Sequence, residues 1–225
     1  MAGFMKVRSQ PEDIQREVVS KGFYFADDAV TGLRIEKLVQ QQAPLTSANG
    51  LKFCHSNVVN HHVIRPYFMT FFDHFGLILY RSLGPLGADY CYKTSVARPN
   101  RDSIFVHLVG KGTRMVVWEG SHLHSLDYHK SDRNLWWVPS ESLKEAGLNP
   151  VEVSFKQGGF IITDPRTCFS VKEGFTVTLG FGNPDVLAKW GRIELAATME
   201  MHKIVGDMLS PRFEMNVRFV PPEYS

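Results

Sequence analysis

Cysteine is scarce in this chain: Cys54, Cys91 and Cys168 are the only three in 225 residues. An odd count without short metal-type spacing gives no basis for a disulfide framework or a compact zinc motif. Such usage suits a reducing compartment, and a cytoplasmic protein is expected. Long hydrophobic runs are missing too. No apolar stretch approaches the roughly 20 residues needed to span a bilayer. The start Met1-Ala2-Gly3-Phe4-Met5-Lys6 passes into charged residues without the apolar centre of a signal peptide. There is no cluster of Lys and Arg and no RNA-binding aromatic signature, and the formal net charge is +2. Neither nucleic acid nor a membrane is therefore an expected partner. Repeats and low-complexity segments are absent as well.

What is present reads as one folded unit over residues 1–225, long enough to bury a sizeable core. The apolar fraction of 44% and charged fraction of 21% are ordinary, while 12 Pro and 18 Gly fit a loop-rich β architecture better than a helical bundle. Ser9-x-x-Glu12 forms a capping-box start, after which Ile14, Val18 and Val19 recur at helical spacing until Gly22. Gly22–Ala26 reads as a first strand, and a second helix follows from Thr31 with Leu33, Leu38 and Val39 facing inward. From Pro66 to Leu83 the chain is apolar on most sides, which predicts a buried helix.

After Asp89 the pattern changes to short β-branched and aromatic runs punctuated by Gly, Pro and Asn. Strands are expected at Tyr90–Val96, Ile104–Val109, Arg114–Trp118, Val151–Phe155, Phe160–Thr163 and Phe175–Phe181, implying a sandwich or barrel. The polar stretch 123–150, with His124, His129, Trp136 and Trp137, reads as an insertion holding a short helix over Ser140–Ala146. Beyond Pro184, Val186–Leu209 has helical period. The expected layout is helical support over 1–88, a β core over 89–183, and a C-terminal helix and tail over 184–225.

Phe105–Leu108, Val116-Val117-Trp118-Glu119-Gly120-Ser121-His122 and Gly158-Gly159-Phe160-Ile161-Ile162 with Asp164 carry a resemblance. Together they resemble core strands of the phytanoyl-CoA dioxygenase-like Fe(II)/2-oxoglutarate oxygenases, particularly the group acting in fungal meroterpenoid biosynthesis. The resemblance covers most of the chain. It implies a mainly β fold with flanking helices (α+β) around a double-stranded β-helix, jelly-roll or cupin-like core. It also implies two His and one carboxylate on iron. Yet no His-x-Asp or His-x-Glu occurs anywhere. The first pair should fall near Ala88–Val96, where Asp89-Tyr90-Cys91-Tyr92-Lys93 stands. The distal His should follow Asp164, where Cys168 takes the place. About ten residues on, Phe175–Leu179 lacks the Arg that would clamp 2-oxoglutarate, a bidentate task for which Lys is a poor substitute. The Val109–Arg114 segment is also shorter than the corresponding turn of the family, which implies a remodelled pocket mouth.

No catalytic, cofactor-binding or metal-binding residue is therefore expected in this chain. The resemblance implies a pseudoenzyme, an accessory subunit that forms a heterodimer with an active, homologous oxygenase. Fe(II), 2-oxoglutarate and a terpenoid substrate would be held by that partner. The alternatives are an enzyme with an atypical or absent metal site that oxidises, isomerises or cyclises a natural product, and a carrier using a vacant barrel. Tyr90, Tyr92 and Phe169 are the residues expected to fill that barrel if it is not vacant. Among other candidates, Cys54, His55, His61 and His62 match no compact metal motif and read as a surface loop or helix edge. His122 and His124 would share a face only if their strand continued, and a structural Gly-Ser-His turn is the simpler reading. Cys168 lacks a base to activate it and reads as a small buried thiol. Trp136-Trp137 fits a ligand or partner contact as well as a loop folded onto the core.

Overall fold

Pro11 opens the first helix, α1 (Pro11–Lys21), in a computed structural model that describes residues 10–94 and 102–222. Ser9 lies outside the described residues. The N-cap is Gln10 without a side-chain bond, and proline at the first helical position supplies the start. Gly22 closes α1 with φ +93°, so it is a cap and β1 runs over Phe23–Asp27. Val19, expected inward, is exposed, and Ile14 and Val18 carry the buried face.

Helix α2 (Ala29–Gln40) begins two residues before Thr31 because the Asp28 carboxylate accepts from the Val30 amide. Its phase differs from the expected one. Leu33 and Val39 face solvent, while Thr31, Gly32, Ile35 and Leu38 are buried. Gly32 decides this, since its Cα lies so close to the Gln157 carbonyl that no side chain fits between helix and sheet. Helix α3 (Ala48–Cys54) continues into a π-helical turn over His55–Val59.

The predicted helix over Pro66–Leu83 is corrected to two elements, α4 (Ile64–Phe71) and strand β2 (Phe75–Leu83). A strand covered on both faces is apolar on all sides, so periodicity alone does not separate it from a buried helix. Asp73 and His74 mark the break. Strands β3 (Asp89–Cys91), β4 (Ser103–Val109) and β5 (Arg114–Trp118) follow. Ser95 and Val96, assigned to the third strand from sequence, lie outside the described residues. The insertion folds as β6 (His129–Lys130), β7 (Trp136–Val138) and α5 (Ser140–Glu145). Next come β8 (Pro150–Ser154), β9 (Gly159–Thr163), β10 (Phe169–Glu173) and β11 (Thr176–Gly182). The single helix expected over Val186–Leu209 is instead α6 (Pro184–Leu187), β12 (Ile193–Ala196) and α7 (Met199–Met208), then β13 (Phe213–Met215) and β14 (Val217–Val220). Gly191 interrupts the helical period, and the Thr198 hydroxyl caps a fresh start at α7.

Two six-stranded sheets form, ordered β1-β9-β4-β11-β2-β13 and β6-β7-β3-β10-β5-β8, with β12 and β14 as a separate pair. Their central strands alternate between sheets along the chain, and the facing sides enclose one apolar core that includes Phe105, Met115, Val117, Phe155, Ile161, Phe169 and Val171. This is a double-stranded β-helix, as expected. The division at residue 88 does not follow it, because β1 and β2 belong to the first sheet. Helices α1–α4 and α7 cover that sheet's outer face through Ile14, Ile35, Leu51, Phe68 and Ile204. The insertion widens the second sheet through β7 against β3 and seals a small outer cluster of Cys91, Trp118, Val138, Leu143 and Cys168.

Candidate functional site

Strand alternation sets which side chains meet in the barrel. In β4, Phe105, His107 and Val109 turn inward, and the registers His107↔Thr178 and His107↔Ile161 place neighbours from β11 and β9 in the same row. His107 is 0% exposed. Its Nδ1 lies 3.0 Å from the Thr178 hydroxyl and its Nε2 3.3 Å from the Thr163 hydroxyl, and Thr178 shares a second bond of 2.9 Å with Thr176. Burial pushes the His107 pKa from 6.5 down to about 3, so the ring is neutral, with one nitrogen donating and the other accepting. Sequence reading missed this residue, which it counted within an apolar strand.

Aromatic rings pack against that imidazole. Tyr92, just past β3, lies on Phe105 with centroids 4.0 Å apart, and Phe169 is 5.6 Å from Tyr92 and 4.7 Å from His107. Burial raises the Tyr92 pKa. Tyr90 pairs across with Phe169 and is half-buried beside this stack. These rings and Leu135 from the insertion pack together in the core between the sheets.

The positions matched to metal ligands are distributed as follows. Asp89 points to the outer face, where its two oxygens accept from Ser170 and Ser140 at 2.8 and 2.9 Å and so tie α5 to the sheet. Cys168 does not take an inward ligand position: it faces out beside Cys91, and Phe169 is the inward residue. Asp164 is locked to Arg166, with Nε–Oδ1 at 2.8 Å and Nη2–Oδ2 at 2.6 Å. Thr178 fills the inward place on β11 where the clamping Arg was sought. Arg81, opposite Thr178 on β2, is a guanidinium at that end, and it donates to the Arg133 carbonyl at 2.9 Å. Among the described residues no three His, Cys, Asp or Glu side chains converge, and residues 95–101 contain none of these types. The donor set here, one imidazole held by two hydroxyls, does not fit the two-His, one-carboxylate requirement of an iron centre. The Gly110–Thr113 turn, read as part of the mouth, lies at the opposite end of β4 from Ser103 and Phe105.

The remaining candidates have structural partners. His61 is buried rather than on a surface loop: its Nε2 donates to Asp28 at 3.0 Å, and its Nδ1 accepts from the Val63 and Ile64 amides at the start of α4. The His62 ring lies tilted against it at 4.6 Å, His55 contacts Asn60, and Cys54 is buried in the main core. His122 sits in the Gly-Ser-His turn, a single 3-10 turn over Ser121–Leu123, with its Nε2 3.0 Å from the Val19 carbonyl. His124 leaves that turn toward the insertion and shares no strand face with it. Trp137 packs tilted against His129 at 4.7 Å, whereas Trp136 lines a cleft at the barrel mouth.

No protein-family model matches the sequence, and no curated protein matches it. Solved structures do. The epimerase SnoN, in complex with Fe3+, alpha ketoglutarate and nogalamycin RO, superposes with TM-score 0.51 at 10% identity over 77% of this chain and 83% of its own. The alpha ketoglutarate-dependent carbocyclase SnoK from nogalamycin biosynthesis gives 0.48 at 12% identity over 77% and 85%. EctD from S. alaskensis, with 2-oxoglutarate and 5-hydroxyectoine, gives 0.47 at 12% identity over 82% and 80%. From its strand order and its likeness to SnoN, this chain has the double-stranded β-helix fold of the Fe(II)/2-oxoglutarate-dependent non-haem oxygenases.

Proposed function

We propose that this chain is a non-catalytic representative of that fold and acts as the accessory subunit of an active, homologous Fe(II)/2-oxoglutarate oxygenase. The supporting observation is the inward aromatic cluster, in which Tyr92, Phe105 and Phe169 pack beside a His107 whose two nitrogens are already engaged. A group that must bind iron, 2-oxoglutarate and oxygen needs open coordination positions and room beside them. That packing supports a role in association outside the barrel. The sequence resemblance supplies the rest: a cytoplasmic heterodimer in fungal meroterpenoid biosynthesis, whose partner holds both cofactors and oxidises a terpenoid-derived substrate. This subunit stabilises that partner or shapes its substrate entrance.

Co-expression with candidate oxygenases from the same genome, followed by affinity purification and turnover assays, tests the proposal. The expected result is a stoichiometric pair whose activity falls when this chain is omitted. Full partner activity without it overturns the reading. So does stoichiometric iron with turnover by this chain alone, which would return the enzyme alternative.

A further inference from the structure

We infer that the cleft at the barrel mouth is a binding site for a flat, largely apolar small molecule carrying one anionic group. The inference does not depend on the accessory-subunit reading, because it concerns the isolated chain. The cleft encloses about 400 Å³, within the roughly 300–1,000 Å³ typical of small-molecule sites. Its floor is the stacked Tyr92–Phe105 pair, whose planes differ by 16°. Trp190 stands 6.1 Å from Phe105, and Trp136, which packs against the outer cluster, comes from the insertion, so aromatic rings from separate parts of the chain line the cleft. Both tryptophans are half-buried, and aromatic rings partly open to a concave site suit a planar ligand.

The polar groups set the ligand's charge. Asp102 is already satisfied: Lys93 Nζ lies 2.7 Å from Oδ2, and the Ser103 hydroxyl donates to Oδ1 at 2.6 Å. Lys189 lines the same cleft and makes no ion pair among the described residues. Among the described residues the lining thus carries two ammonium groups against one carboxylate, leaving Lys189 as a cation in excess beside the aromatic rings. An anionic group at Lys189 with a planar apolar body between Trp136 and Trp190 satisfies both features.

Two probes test this on the full chain: 8-anilinonaphthalene-1-sulfonate, and the uncharged N-phenyl-1-naphthylamine of similar shape. Each is titrated by fluorescence and calorimetry into the natural chain and into Trp136→Ala, Lys189→Glu and Trp137→Ala. One saturable site is expected for both probes. Trp136→Ala should weaken both about tenfold through lost ring contact. Lys189→Glu, a change at an exposed residue that leaves folding intact, should weaken the sulfonate about fivefold and leave the uncharged probe unchanged. Trp137→Ala, on a different face, should alter neither. Non-saturating binding overturns the inference, as does an unchanged sulfonate affinity in Lys189→Glu even if Trp136→Ala fails to fold.

Discussion

At the scale of single residues, His107 gives the protein a specific acid sensitivity. Its folded pKa of about 3 lies below its ordinary 6.5, so between these values the unfolded chain binds the proton and the folded chain does not. Stability is therefore complete above about pH 6.5 and falls as the pH drops, with a slope approaching roughly 1.4 kcal/mol per pH unit. Urea unfolding from pH 7 to pH 4 should show this slope in the natural chain and a shallower one in His107→Leu; parallel curves would refute the assignment. The thiols behave differently. Cys54, Cys91 and Cys168 are all fully buried, and burial raises the Cys54 pKa while the neighbouring Cys168 is the main cause that raises that of Cys91. Ellman's reagent should find no reactive thiol in the native chain and three after denaturation. A buried Cys168 was legible from sequence, but its direction was not. A one-residue difference in register exchanges Cys168 for Phe169 at the inward position. His107 had a signal that went unused, namely a polar residue in phase with Phe105 and Val109, with Thr178 opposite it on β11 and Thr163 two residues beyond its partner Ile161 on β9.

Whole elements depend on a few local joints. Gly22 sits at φ +93°, and an added Cβ would lie 2.5 Å from the Thr167 hydroxyl and 2.6 Å from His122 Nδ1. Gly22→Ala should cost about 2–3 kcal/mol, combining left-handed strain with overpacking, measurable as a lower urea midpoint at unchanged slope. Asp28 joins three elements at once by capping α2, holding Thr31 at 2.8 Å and pairing with His61, which in turn caps α4. The His61 hydrogen bond, ahead of the others, holds its pKa well below the usual 3.8, so its contribution is present above that pH and lost only in stronger acid. Asp28→Ala should destabilise by about 3 kcal/mol at neutral pH, and a loss under about 1 kcal/mol would show that the joint is not structural. Strand positions such as Arg114–Trp118 could be read from the sequence because alternation and Gly or Pro punctuation agree there. Helix phase in α2 and the split of 66–83 could not. The first depends on a backbone contact with Gly158 and its neighbour, and the second on cover from both sides, neither of which is local information.

For the whole molecule, the β-rich architecture was legible from composition and motif order, while the state of its interior was not. Missing ligands are a property of individual letters. The aromatic cluster is a property of packing, and it needs the stacking of Tyr92, Phe105 and Phe169 from three separate strand regions to become visible. The same topology predicts folding behaviour. β11 is the strand between β4 and β2, so removing it disconnects the first sheet. A chain ending at residue 174 should lack the near-ultraviolet circular dichroism of packed aromatics, whereas a native-like spectrum would show that the sheet closes without it.

That central strand also sets a clock. About a hundred residues separate β2 from its partner β11, so at roughly 5–20 residues per second β2 leaves the ribosome some 5–20 seconds before the strand that covers it exists. For that interval Phe75, Leu77 and Ile78 are exposed on an unpaired edge beside the aromatic α4. The nascent chain is then a ready client for chaperones or for a subunit already folded nearby. Slower synthesis at lower temperature lengthens the wait but weakens the apolar attraction that makes it dangerous.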